Sequence, residues 1–159
     1  MNRDNNAFYW LPCSVVFVCS VHEDSRDIMT ATAMFVSEKE PLLAISVARN
    51  HLTQKLIDQS RRFIVVIAGP NQKELAIQVG SVKGEKVDKF DHFSIQHTCP
   101  EEGYAPVPEG AAAWIACEVE STHDIAGYRI FVGRVVGQED MGKQPIVWHK
   151  DIFFGLKPV

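Results

Sequence analysis

Residues 13–22 read CSVVFVCSVH, a β-branched run that reads as a buried strand. Two more runs of the same kind follow closely. Residues 29–37, MTATAMFVS, have strand composition with small and hydroxyl residues at their start. Residues 42–48, LLAISVA, form a third apolar strand. The charged stretch 23–27 reads as the first connecting loop and the polar stretch 38–41 as the second. Three strands joined by short loops open a sheet or a barrel, not a helical bundle.

Outward from these strands the period changes. Leu52, Leu56 and Ile57 recur at helical spacing while Gln54, Lys55, Asp58 and Gln59 face outward, which predicts a helix over 52–61. Thr53 stands where it would cap that helix or bond a ligand beside it. Residues 63–68, FIVVIA, are a strand closed by Gly69-Pro70. Asn71 is the expected cap of a second short helix over 72–79, which Gly80 would end. Residues 83–90 are charged and irregular, with Asp88-Lys89-Phe90 opening a helical turn. Residues 98–110 carry three prolines and two glycines and read as a loop. Residues 113–122 alternate as a half-exposed strand, 123–127 turn, and 128–136 return as its hairpin partner. A short strand at 145–148 and an apolar tail at Phe153-Phe154, docked on the core, complete the chain. With no repeat, low-complexity tract or composition break, residues 1–159 are expected to form one domain. Its class is mainly β with short helices, a barrel with helical embellishments.

The 159 residues are 46% hydrophobic and 23% charged, ordinary globular usage. The net charge of −4 lacks the basic surplus of a nucleic-acid binder, yet leaves room for a local pocket that holds one phosphate. The longest apolar run, 111–117, is too short to span a bilayer. Residues 1–6 lack the basic flank and apolar stretch of a signal peptide, so no membrane partner and a cytoplasmic location are expected. Cys13, Cys19, Cys99 and Cys117 show neither a CxxC pair nor zinc-ligand spacing, and read as reduced, structural thiols. The six histidines form no metal motif, so no metal is expected. No GxSxG elbow, Walker loop or GxGxxG turn is present, so a nicotinamide would have to bind without a Rossmann unit.

Two stretches carry binding chemistry. At Thr30-Ala31-Thr32-Ala33, small residues let a planar ligand approach the backbone; the alternative is a crowded sheet face. Over Ser46-Val47-Ala48-Arg49-Asn50-His51-Leu52-Thr53 a strand ends and a helix begins. Helix amides, a hydroxyl and cationic side chains converge there as an anionic phosphate requires. The alternative is an ordinary capped helix with a solvated Arg49.

Five segments in register resemble the flavin reductase-like family, whose domain is the FMN-binding split β-barrel, and together they span residues 11–156. Leu11-Pro12-Cys13-Ser14-Val15-Val16-Phe17-Val18 is similar to the family's opening Pro-x-Pro-Val-x-x-Val strand, with Ser14 in place of the second proline. Asp27-Ile28-Met29-Thr30-Ala31-Thr32-Ala33 resembles its Asn-x-Met-Thr-Ala-Ser segment. Glu40-Pro41-Leu42-Leu43-Ala44-Ile45-Ser46-Val47 and Thr53-Gln54-Lys55-Leu56-Ile57 match its Pro-Pro-Leu-x-x-x-Ser strand and Thr-x-x-Leu-Ile helix. Residues 80–90, GSVKGEKVDKF, resemble its Gly-x-x-Ser-Gly-Arg-Asp-x-Asp-Lys-Phe stretch, and Ile130-Phe131-Val132-Gly133-Arg134-Val135 its Phe-x-Gly-x-Val strand.

The resemblance implies a homodimer with non-covalent FMN, or FAD, at the subunit interface. Thr30, Ala31, Thr32 and Ala33 would lie along the ring and ribityl chain. Ser46, Val47, Arg49, Asn50, His51 and Thr53, with Lys83 and Gly84 approaching, would surround the phosphate. It implies an oxidoreductase, either a flavin reductase using NADH or NADPH or a flavoredoxin-like carrier served by a redox partner protein. No catalytic side chain is required, because the hydride chemistry belongs to the flavin. A flavin-storing protein and a pyridoxamine-phosphate-oxidase-like or haem-binding split barrel are the alternatives. Four departures stand out: Asp27 for the usual Asn, Lys83 and Glu85 for Ser and Arg, His51 where some members carry Arg, and Ala126-Gly127-Tyr128-Arg129. The last replaces a Gly-Asp-His-Thr whose histidine faces the nicotinamide in many reductases, and so argues against dedicated NAD(P)H use.

Overall fold

The computed structural model of the chain describes residues 7–159; residues 1–6, expected to be polar and free of signal-peptide character, lie outside them. The first expected strand is two. β1 (Cys13–Ser14) and β2 (Val16–His22) part at Val15, whose N–H donates to Ile146 and whose carbonyl accepts from Ala68. One residue therefore hands the chain from a small sheet to a large one.

The run 29–37 is divided too, into β3 (Ser25–Ala31) and β4 (Ala33–Ser37), with Thr32 between. β3 also starts earlier than expected, so the loop at 23–27 shrinks to a turn at Glu23-Asp24. Arg26 and Asp27 join the ladder opposite Val21 and Ser20 because distant side chains satisfy their charges. β5 (Leu42–Ala48), β6 (Arg62–Ile67), β9 (Ala113–Ile125) and β10 (Tyr128–Asp140) complete an antiparallel sheet of order β3-β2-β6-β9-β10-β5-β4. Its two edges are consecutive in the chain. A single run of backbone thus pairs with β2 before Thr32 and with β5 after it, and closes the sheet into a split barrel.

The two-residue alternation then sorts the side chains. Val16, Val18, Ile45, Val47, Phe63, Val65, Cys117 and Phe131 fill the barrel. Phe17, Cys19, Ile64, Val66, Trp114 and Ala116 face outward into a second core, covered by the remaining elements. The β9–β10 hairpin is longer than its sequence suggested, and the expected turn at 123–127 narrows to Ala126-Gly127. Both residues have positive φ, 48° and 81°, which matches the twist of two long strands.

α1 (Leu52–Ser60) buries Leu56 and Ile57 against the barrel and stops at Arg61, whose φ of 59° is left-handed. α2 (Lys73–Ser81) follows Gln72, not the expected Asn71. The Gln72 side chain is engaged with the backbone of Gly69 and Glu109. Gly80 does not end this helix; it lies within the last turn, facing Thr30. α3 (Lys89–His92) is the single turn expected after Asp88. The loop at 98–110 is tacked by a pair of two-residue strands, β7 (His97–Thr98) and β8 (Val107–Pro108). β11 (Ile146–His149) and β12 (Ile152–Gly155) form a hairpin on β1. The expected apolar tail is therefore a strand, with Phe153 on the core and Phe154 exposed. No helix among the described residues is long and apolar enough to cross a membrane.

Candidate functional site

Where the closing strand changes partners it leaves a gap, and a cavity of about 930 Å³ opens there. That volume is at the upper end of the range of roughly 300–1,000 Å³ for small-molecule sites. One wall is the end of β3 with Thr30 and Ala31, continued by Thr32; the end of β5 adds Ser46 and Ala48. The start of α1, the end of α2 and the segment 82–85 close the polar end. Phe8, Trp148 and Phe153 stand at the apolar end, and Tyr128 at the rim.

The wall is made of small residues for a reason visible in the bonding. Thr30 Oγ1 donates to the Ala76 carbonyl at 2.5 Å, tying α2 to β3 and fixing the width between them. At the polar end His51 occupies the N-cap position in extended conformation without a side-chain cap bond. The first intrahelical bond runs from Lys55 to the His51 carbonyl, so the amides of the first turn have no partner within the helix. They are free to meet an acceptor, and the helix dipole favours an anion at that end.

Of the two roles expected of Thr53, the helix cap falls to the His51 position, and the Thr53 hydroxyl is bonded elsewhere. Fully buried, Thr53 donates its hydroxyl proton to Asp27 Oδ2 at 2.5 Å. Asp27 Oδ1 makes an ion pair with Lys89 Nζ at 3.2 Å without a hydrogen bond, and Lys89 Nζ donates to the Ile28 carbonyl at 2.8 Å. Gly84 backs directly onto this carboxylate: a Cβ there would stand 2.5 Å from Asp27 Oδ1, so only glycine lets the segment approach so closely. Beside it Glu85 leans toward Lys55 at 3.8 Å.

Of the residues singled out in the sequence, Thr30, Ala31, Thr32, Ser46, His51, Thr53, Lys83 and Gly84 line this one cavity. Four do not. Val47 points the other way from Ser46 and Ala48 and is fully buried in the barrel. Ala33 lies beyond the strand switch, opposite Ile45. Arg49 turns toward Asp124 at 3.8 Å, and Asn50, at φ 70°, donates its backbone N–H to Gln54. Lys89 and the aromatic end went unrecognised in the sequence. Lys89 had only its place in the Asp-Lys-Phe stretch as a signal, and Phe153 read as core.

Tyr128 lines the rim opposite Ala48, while Arg129 points away. Its guanidinium forks onto Asp124 at 2.7 and 2.9 Å and reaches Asp58 of α1 at 2.6 Å. The Arg129 hydrogen bonds hold the Asp124 carboxyl below its ordinary range, and the pair fastens the hairpin tip to the helix. The buried thiols are no nucleophiles: burial pushes Cys117 up to about 12 and raises Cys19 as well. Among the described residues no group of His, Cys, Asp and Glu is arranged to hold a metal. Small wall, hydroxyls, the Lys83 ammonium and the His51 imidazole beside free amides fit a flat ring system with an anionic tail.

The family described as flavin reductase like domain matches residues 8–157, nearly the whole chain. YddH of Escherichia coli (strain K12), an uncharacterised protein, is 33% identical over 126 residues, covering 76% of this chain and 67% of its own. The reductase subunit HsaB of a flavin-dependent monooxygenase from Mycobacterium tuberculosis is 24% identical over 151 residues, covering 92% and 78%. Among solved structures, the NADH:FAD oxidoreductase SgcE6 of Streptomyces globisporus C-1027 superposes with a TM-score of 0.87 at 23% identity. It covers 98% of this chain and 93% of that one, a likeness of fold.

Proposed function

The chain belongs to the flavin reductase like domain family, and from that premise we propose that it binds FMN non-covalently in the cavity along β3. It is a flavoprotein oxidoreductase of the flavin reductase or flavoredoxin-like kind. The observation that supports the placement is the convergence of Thr30, Ala31 and Thr32 with His51, Lys83 and the α1 amides on one cavity. In this reading the ring lies on the small wall and the phosphate points to the start of α1. When bound, the flavin supplies the hydride and electron transfer. The chain's residues bind and orient it. Thr30 sets the cavity width, the first-turn amides with His51 and Lys83 meet the anionic tail, and the aromatic end excludes water.

Tyr128 cannot act as an imidazole would beside a nicotinamide, so the reading favours a protein donor or an unusual reductant over dedicated NADH or NADPH use. The name of HsaB, a reductase subunit, supports a redox partner protein that receives electrons. The subunits pair as a homodimer, a reading supported by Met34, Phe35 and Val36, exposed by 68%, 70% and 51% along the edge strand β4. One domain and a cytoplasmic setting belong to the same reading, supported by free cysteines throughout.

The test is the absorbance spectrum of the purified protein, followed by anaerobic mixing with NADH, NADPH or a reduced ferredoxin. FMN released on denaturation, slow bleaching by nicotinamides and fast bleaching by the protein donor are expected. A colourless protein that does not take up added FMN would overturn the reading. Fast bleaching by NADH would return the chain to the nicotinamide-dependent reductases.

A further inference from the structure

The charged groups beneath the polar end of the cavity are arranged against one another. The side chains of Asp27 and Lys89 are 3% and 4% exposed, paired at 3.2 Å, and both border the cavity. Thr53 has one hydroxyl proton, and Asp27 Oδ2 takes it; only lone pairs remain for anything above. A phosphate monoester above its second pKa of about 6 has no proton to give them. Gly84 presses on the same carboxylate, so Asp27 lies directly under the segment that carries Lys83. A family pattern with Asn at this position would leave the lysine's charge uncancelled.

We propose that Asp27 is a specificity-determining positioning residue: it locks Lys89 and Thr53 into an internal unit and so withdraws both from the ligand's anionic end. The preference for FMN over riboflavin then rests on Lys83, His51 and the α1 amides alone. This rests on the cofactor reading above. Its consequence is a site that discriminates weakly between the two flavins, and whose discrimination is set by a residue that need not touch them.

The experiment measures Kd for riboflavin and for FMN by flavin fluorescence in the full-length wild type, Asp27→Asn, Lys89→Met and the double variant. Asp27→Asn keeps an acceptor for Thr53 and frees the Lys89 charge, so the FMN-to-riboflavin affinity ratio rises by about tenfold. Lys89→Met leaves the carboxylate unpaired and lowers the ratio by about tenfold; the double variant returns toward wild type. A purely structural role would move both affinities together and leave the ratio unchanged. An unchanged or reduced ratio in Asp27→Asn, in proteins that bind both flavins, overturns the proposal. If that variant does not fold, an unchanged ratio in Lys89→Met overturns it equally. Failure of the wild type to bind either flavin defeats the cofactor reading itself, and the proposal falls with it.

Discussion

Gly133 faces the barrel interior from β10. A Cβ on it would stand 2.5 Å from Phe63 Cζ and 2.7 Å from Cys117 Cβ, inside any tolerable contact. No unusual backbone angle demands glycine here; the demand comes from an aromatic ring contributed by a strand two places away in the sheet. Gly133→Ala is therefore expected to destabilise the fold by about 1–3 kcal/mol, through forced movement of the Phe63 ring. Urea unfolding checks it; an unchanged midpoint would mean that the ring swings aside freely. Gly84 and Asp27 obey the same logic at the cavity floor. Such glycines stand in the sequence as letters of a motif, and their reason is visible only once the opposing atom is known.

Elements as short as α3 cannot persist on propensity alone. This turn is held from both ends of Asp88, whose side chain accepts from the N–H groups of Phe90 at 2.9 Å and Asp91 at 3.3 Å. Arg26 Nε donates to the same carboxylate at 2.8 Å and its guanidinium lies 4.8 Å above the Phe90 ring. Burial by itself would raise the Asp88 pKa. The Arg26 hydrogen bond, the two amides and the Arg26 charge outweigh it and leave the group below its ordinary value. The folded pKa thus lies under the unfolded value of about 3.9. The stabilisation is complete above that value and is lost as pH falls through the folded pKa. Asp88→Ala is expected to cost about 1 kcal/mol at neutral pH through the lost cap, and to flatten the decline in stability below about pH 4. Urea midpoints of both proteins across that range decide it, and parallel acid limbs would show that other carboxylates govern the loss. Because α3 carries Lys89, its anchoring also holds one half of the buried pair in place.

At the scale of the whole molecule, the edge strand β4 carries an exposed apolar stretch on the barrel. Edge strands invite pairing unless something covers them, and Met34, Phe35 and Val36 carry no charge to deter it. Sedimentation equilibrium is expected to show a dimer with and without FMN. Phe35→Glu should weaken the association by about tenfold or more and lower FMN affinity alongside. A wild-type monomer that keeps full FMN affinity would remove the interface from the reading.

The apolar strand runs over 42–48 and 63–68, the alternation over 113–122, the helical spacing of Leu52, Leu56 and Ile57, and the hairpin partners around Gly127 were legible in the amino-acid sequence. These periods are local properties of a chain whose side chains repeat every two or 3.6 residues. So were the small wall at Thr30–Thr32 and the strand-to-helix junction at Ser46–Thr53. Strand register and partner choice were not, because nothing local specifies which distant backbone satisfies a given N–H. The breaks at Val15 and Thr32 follow from that, since each marks a change of neighbour within a run that reads as one strand. The same holds for charges. Arg26 and Asp27 read as loop residues until Asp88 and Lys89 are brought to them, and Arg49 stands outside the cavity lining, 3.8 Å from Asp124. Sequence alone thus determined the main strands and helices and the chemical character of the small wall and of the strand-to-helix junction. Only the tertiary structure decided which polar groups face the cavity and which are consumed by one another, because a side chain's availability depends on partners that the chain supplies from far away.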